Sequence, residues 1–168
     1  MLATFKSWII KSRKSLYASK VINTALECGL SPKINFPTFV NNKTTLGDNF
    51  NSNGLRIIGQ GCVNIGNNFH CGYGCVFITE SHNYNGNAIP YDDTYVIKNI
   101  SIQDNVWLGI NVIVLPGVQI GEGAIIQAGS VVVKDIEPYA IAGGHPAKAF
   151  AKRDVELYLR LKKEGKYH

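Results

Sequence analysis

Long apolar runs are missing from this chain, and with them any segment reaching the roughly 20 residues that span a bilayer. The stretch from Phe5 to Ile10 is too short for a signal-peptide core, and no small-residue cleavage site follows it. The sequence therefore reads as that of a cytoplasmic protein. Cysteine is scarce: Cys28, Cys62, Cys71 and Cys75 form no paired CxxC set, so neither a zinc site nor an oxidising compartment is expected. They read as small apolar fillers. Charge is sparse too, at 17% of 168 residues, with 12 acids against 17 lysines and arginines. The basic residues gather near the two ends and leave the middle nearly neutral. A nucleic-acid binder would carry them along one face instead. End charge of this kind is solvated surface, or it attracts a phosphorylated cofactor or an anionic surface.

What is present is glycine, at 17 residues, and a hydrophobic share of 45%, enough to bury the core of one domain. Large aliphatic residues recur every six positions at Ile102, Leu108, Val114, Ile120, Ile126 and Val132. Four places after each stand Val106, Val112, Val118, Ala124, Ser130 and Ile136, nearly all small or β-branched. A period of six fits neither an amphipathic helix nor a two-sided strand. It fits a parallel β-helix, with short strands as the flat sides of a prism and turns at its corners. The first position of each hexad then stacks inside, and the fifth sits near a corner. Upstream the period runs through Ile34, Val40, Leu46, Ser52 and Ile58, slips by one near Asn64, and resumes at Ile65, Cys71 and Phe77.

The repeat breaks between about Thr79 and Asn99, where Glu80-Ser81-His82-Asn83-Tyr84-Asn85-Gly86 is polar and turn-rich. A loop of about 20 residues inside a solenoid is expected to have a task. The chain divides into a helical cap over 1–30, a repeat region over 31–137 carrying the loop 79–99, and a closing turn and helix over 138–168. The cap, with Phe5, Trp8, Ile9, Leu16 and Ile22 among lysines, either closes the open end of the coil or lies on a membrane surface. Asp154 is a good N-cap for the last helix, which runs to about Lys163.

Ile102-Gln-Asp-Asn-Val-Trp107-Leu-Gly109, Val114-Leu-Pro-Gly117, Ile120-Gly121-Glu-Gly123-Ala124, Gln127-Ala128-Gly129-Ser130 and Gly143-Gly144-His145-Pro146-Ala147-Lys148 follow in order. This series resembles the hexapeptide-repeat acyltransferases, among them the galactoside and maltose O-acetyltransferases, surface-polysaccharide acetyltransferases and streptogramin acetyltransferases. The resemblance covers about 34–153. It implies an all-β fold, a left-handed parallel β-helix with a protruding loop, and a homotrimer with active sites between subunits. It also implies acetyl-CoA as acyl donor, a carbohydrate or other small-molecule acceptor, no metal and no nucleic acid.

Transfer of an acyl group from a thioester to a hydroxyl needs a base, donors for the oxyanion and a groove for the donor. Imidazole suits the first role because it titrates near neutrality. Only His82, of four histidines, lies in the protruding loop, and it matches the family's catalytic histidine. His70 reads as structural at a corner, His145 as part of a turn, and His168 as a disordered terminus. By the same resemblance Asn53 contacts the acceptor, although asparagine there is equally suited to a left-handed turn. Glu80 and Tyr84 orient His82 or touch the acceptor. Trp107 lies beside the donor's reactive end, Gly109 and Ala128 along its pantetheine arm, and Lys148 near its phosphates. An arginine of the galactoside enzymes falls at Ala151, so Lys152 or Arg153 must replace it. Direct transfer in a ternary complex follows, without an acyl-enzyme.

Three competing readings remain inside the family: O-acetylation of a sugar, of a streptogramin-type antibiotic, and N-acetylation of an amino-sugar nucleotide. Outside it, a zinc carbonic anhydrase on a similar coil would need three histidine ligands, and His70 and His82 lack a third. A scaffold of stacked repeats would need neither the His82 loop nor Trp107.

Overall fold

The computed structural model describes residues 2–168, with side chains from Ile10 onward. Short strands separated by turns stack in parallel on three faces. The first face holds Glu27–Cys28, Thr44–Leu46, Val63–Ile65, Ile100–Ile102 and Gln119–Ile120. The second holds Lys33–Ile34, Asn51–Ser52, His70–Cys71, Trp107–Leu108, Ile125–Ile126 and Ala140–Gly143. The third holds Leu55–Ile58, Cys75–Ile78, Ile113–Val114 and Val131–Val132. The chain visits the faces in that order and repeats, so Ile102 pairs with Ile120, Leu108 with Ile126 and Val114 with Val132.

Both aliphatic series point inward. Ile102, Leu108, Val114, Ile120, Ile126 and Val132 are buried, and so are Val106, Val112, Val118, Ala124, Ser130 and Ile136. Two inward residues flank one outward residue in each rung, the ordinary alternation of a strand. On the second face the outward residues form one column, Lys33, Asn51, His70, Trp107, Ile125 and Ile141. Below Leu108 the interior widens to take Phe50 stacked on Phe69 at 5.6 Å, with Phe77 edge-on.

The register slip lies earlier than the sequence suggested. Ile58 points outward and is 43% exposed, while Leu55 and Ile57 fill the interior opposite Cys75 and Phe77. The step from Ser52 to Ile57 is five residues, and from Ile57 to Ile65 it is eight, because Gly59-Gln60-Gly61 widens the corner. Their net is the one-residue slip that the spacing placed near Asn64.

Turns are held by ladders. Asn49, Asn68 and Asn105 adopt left-handed backbones, which asparagine tolerates best among residues with a side chain. Their amides bond upward, Asn49 to Asn68 and Asn68 to Asn105, at 3.0 Å each. Gly47 admits no side chain, since a Cβ there would lie 2.6 Å from the carbonyl carbon of Gly66 in the next coil.

Helix α1 (Leu2–Thr24) leads into the first rung. Val21 is buried, with Tyr17 and Ala18 against the core, whereas Leu16 and Ile22 are exposed. The apolar face inferred from Leu16 and Ile22 is thus rotated away from the coil. Phe5, Trp8 and Ile9 belong to α1, but their side chains lie outside those described. At the other end Lys148–Lys152 pairs antiparallel with Ala140–Gly143. Helix α2 (Val155–Lys163) follows, its N-cap Asp154 accepting from Leu157 N. No helix among the described residues is long and apolar enough to cross a membrane.

Truncating Leu108→Ala should lower stability by about 2–5 kcal/mol in reversible urea unfolding. Ile110→Ala, at a half-exposed position one turn away, should stay within about 0.5 kcal/mol.

Candidate functional site

The break in the repeat is an ordered hairpin rather than a structureless loop. Thr79 roots it, accepting from Lys98 N through its carbonyl and from Gly61 N through Oγ1, and donating to Ile58 O. Glu80–His82 then pairs antiparallel with Tyr95–Ile97. Asp92 ties the tip by accepting from Asn87 N, Thr94 N and the Thr94 hydroxyl. The Thr94 hydroxyl is the main reason its carboxyl sits below the usual carboxylate range, and the backbone donors add to it.

His82 stands on this hairpin, exposed, with its ring stacked on Tyr91 at 3.8 Å and tilted against Tyr95 at 4.7 Å. The two tyrosines limit how the imidazole can turn. Tyr95 is the direct cross-strand partner of His82, a pairing set by the hairpin register, and Tyr91 carries no signal in the sequence. Glu80 is spent on the coil, accepting from Gln60 N at 3.0 Å, and Tyr84 projects at the tip, 75% exposed. Neither has a described contact with His82.

Trp107 is not a core aromatic. It stands in the outward column of the second face, 50% exposed. The hairpin leaves between the third and first faces, along the edge opposite the second. Within one chain His82 and Trp107 are therefore on different sides of the prism.

α2 and the residues after it run across the second face and leave a crevice of about 560 Å³ lined by Asn51, His70, Trp107, Leu157, Leu161 and Tyr167, among others. The asparagine ladder anchors α2, because Asn105 donates to the Tyr158 hydroxyl at 2.8 Å and that hydroxyl donates to Glu122. Lys162 pairs with the same carboxylate. Burial and then the Glu122 carboxylate push the Tyr158 hydroxyl well above its ordinary pKa. The Arg153 Nε donates to Gly123 O at 2.6 Å with its guanidinium over the Tyr158 ring, so Arg153 serves this anchor.

Asn53 is not in a left-handed turn. Its amide nitrogen donates to Cys71 O at 3.1 Å and toward His70 Nε2 at 3.3 Å, and its oxygen accepts from Asn35. His70 is thus on a flat face beside Trp107 rather than at a corner, a residue that the sequence reading set aside as structural. His168 is ordered nearby, its carbonyl accepting from Asn49 and its ring 6.2 Å from that of His70.

Gly109, Ala128 and Gly129 lie where the second face turns into the third, beside the half-exposed Ile110. A Cβ on Gly109 would meet Ala128 N at 2.5 Å, and one on Gly129 would meet nothing within 4 Å. The first is therefore required by the packing of one coil on the next. Lys148 and Lys152 are exposed on the closing strand. Among the described residues no three metal-ligating side chains gather.

Burial lowers the His70 pKa from 6.5, with His168 and Lys33 adding to the effect. A proton taken up at Nε2 would also oppose the Asn53 amide donor. An NMR titration should place the His70 midpoint below 6.5. His70 then binds fewer protons folded than unfolded in that window, so its contribution to stability is complete above 6.5 and declines as pH falls toward the lowered value. A midpoint above 6.5 would contradict the Asn53 contact.

Comparison with known proteins adds to this geometry. Residues 99–134 match the model of the bacterial transferase hexapeptide (six repeats). The chain is 50% identical over 68 residues to a chloramphenicol acetyltransferase of Klebsiella aerogenes, which is 39% of this chain and 32% of that protein. It spans less than half the length of the first curated relatives it matches. A galactoside acetyltransferase in complex with coenzyme A superposes with a TM-score of 0.72 at 27% identity, over 83% of this chain and 72% of that one. A maltose O-acetyltransferase from Clostridium difficile 630 gives 0.59, also at 27% identity, over 76% and 66%. The chain carries the hexapeptide repeat of bacterial transferases and the left-handed parallel β-helix fold of the galactoside acetyltransferase.

Proposed function

We propose that the protein is an acetyl-CoA-dependent O-acetyltransferase acting on a sugar or surface-polysaccharide precursor, with His82 as general base. The observation that carries this reading is an imidazole clasped between Tyr91 and Tyr95 on an ordered excursion from a transferase-type coil. Galactoside and maltose acetyltransferases share that coil. A cytoplasmic location goes with the donor.

Acetyl-CoA supplies the activated acyl group. Gly109 and Ala128 lie along the path of its pantetheine arm, and Lys148 and Lys152, exposed on the closing strand, meet its phosphates. Arg153 is occupied at Gly123, so it contributes through the anchoring of α2. His82 takes the acceptor proton as the oxygen attacks, and a neutral imidazole is the form that can do so. Backbone N–H groups at the cleft steady the oxyanion. Cys71 and Cys75 face the interior, which removes them as nucleophiles for an acyl-enzyme. Asn53 lies beside His70 on the acceptor side, with Glu80 and Tyr84 shaping the hairpin.

Since His82 and Trp107 stand on different sides of the prism, the site is completed by a neighbouring copy, as a homotrimer allows. Sedimentation equilibrium should give three times the 18.4 kDa chain mass. A monomer that turns over would exclude the shared site.

A second reading, O-acetylation of an antibiotic alcohol, is favoured by the match to a chloramphenicol acetyltransferase. Acetyl-CoA turnover across galactosides, maltose, an amino-sugar nucleotide, chloramphenicol and a streptogramin separates the readings. His82→Ala should lower kcat at least about 100-fold on whichever acceptor is used. A variant that keeps most of its activity removes His82 as the base.

A further inference from the structure

We infer that the crevice between α2 and the second face is the acceptor pocket, that α2 is its specificity wall, and that it takes a hydroxyl compound with one flat apolar face. The inference rests on the acetyltransferase reading and deepens it. The crevice, about 560 Å³, has the size of a small-molecule site. It joins the two groups already placed on that side, Trp107 directly and Asn53 through its contact with His70.

The charged side chains of the lining also hold α2 in place. Lys162 is paired with Glu122, and Lys166 with Glu164. Arg153 donates to Gly123 O, and Asp154 caps α2.

Polar recognition comes from His70. The Asn53 amide nitrogen is oriented by Cys71 O, a pure acceptor, and by Asn35, whose Nδ2 donates to Asn53 Oδ1. His70 Nε2 must therefore accept, which leaves the proton on Nδ1. Nδ1 makes no described hydrogen bond, and His70 borders the crevice. An N–H donor beside a half-exposed indole suits an acceptor hydroxyl next to a flat face. Leu157 and Leu161, one helical turn apart, close the opposite wall. A pyranose presenting its C–H face and an aryl alcohol share this chemistry. His70 acts as a positioning residue.

Methyl β-D-galactoside and chloramphenicol probe the two sources separately, with dissociation constants from ligand-observed NMR and acetyl-CoA affinity measured in parallel. We expect the wild type to bind at least one probe in the millimolar range or better. Leu161→Trp, which fills the crevice from α2, should weaken that probe at least tenfold and leave acetyl-CoA affinity within twofold. Leu157→Trp enters the same space from the next turn and guards against a folding defect in one variant. His70→Phe should lose the probe, and His70→Gln, which can both accept from Asn53 and donate, should restore it. The inference is overturned if neither probe binds the wild type, if binding survives both tryptophan variants, or if His70→Phe and His70→Gln behave alike. Failure of the wild type to bind acetyl-CoA while a probe still binds would sink the enzyme reading and leave the pocket standing.

Discussion

Everything in this molecule depends on one register constraint: a rung must sit directly over its counterpart, a single strand spacing of about 4.8 Å away. At that separation the corners have no slack. Gly29, Gly47 and Gly66 succeed one another where a Cβ would collide with the backbone of the next coil. Beside them Asp48, Asn67 and Asp104 use side-chain oxygens to accept from the backbone N–H of the coil below, at 2.7–2.8 Å. The same stacking turns a sequence period into a surface column. Asn51, His70 and Trp107 are far apart in sequence and neighbours on the second face.

A regular prism offers little chemistry, since its outward positions are flat and its interior is filled. The two departures supply it. One is the hairpin, whose root at Thr79 replaces the corner contacts that the repeat loses. The other is α2, which converts a flat face into a crevice. The first brings an imidazole, the second brings walls, and the width of the prism separates them in one chain. Under the proposed reaction each chain thus holds half of two sites.

The fold was legible from the sequence because the interior series at Ile102 to Val132 is uninterrupted and each member is buried. The slip was misplaced because Ile57 and Ile58 are both aliphatic, and periodicity alone cannot choose which points inward. Trp107 was singled out only through resemblance; in the fold it occupies an outward slot between His70 and Ile125. His70 was placed at a corner for a related reason. Its neighbours Asn53 and Trp107 come from other coils, and the helix that encloses it lies some 90 residues away in sequence. The aromatic clasp on His82 needed the hairpin register, which polar turn residues do not reveal.

The clustering of basic residues near the end of the chain has a resolution in these contacts. Read as charge alone, Arg153, Lys162 and Lys166 look like a receptor for phosphates. In the folded chain each is engaged, on a carbonyl, on Glu122 and on Glu164. The Glu122 carboxylate keeps its charge despite burial because Lys162 and the Tyr158 hydroxyl both bond to it. Removing Glu122 would therefore release Lys162, leave the Tyr158 hydroxyl to Asn105 alone and loosen α2, while Lys148 and Lys152 on the closing strand would be untouched. The charge that holds α2 and the exposed charge of the closing strand are thus carried by different residues.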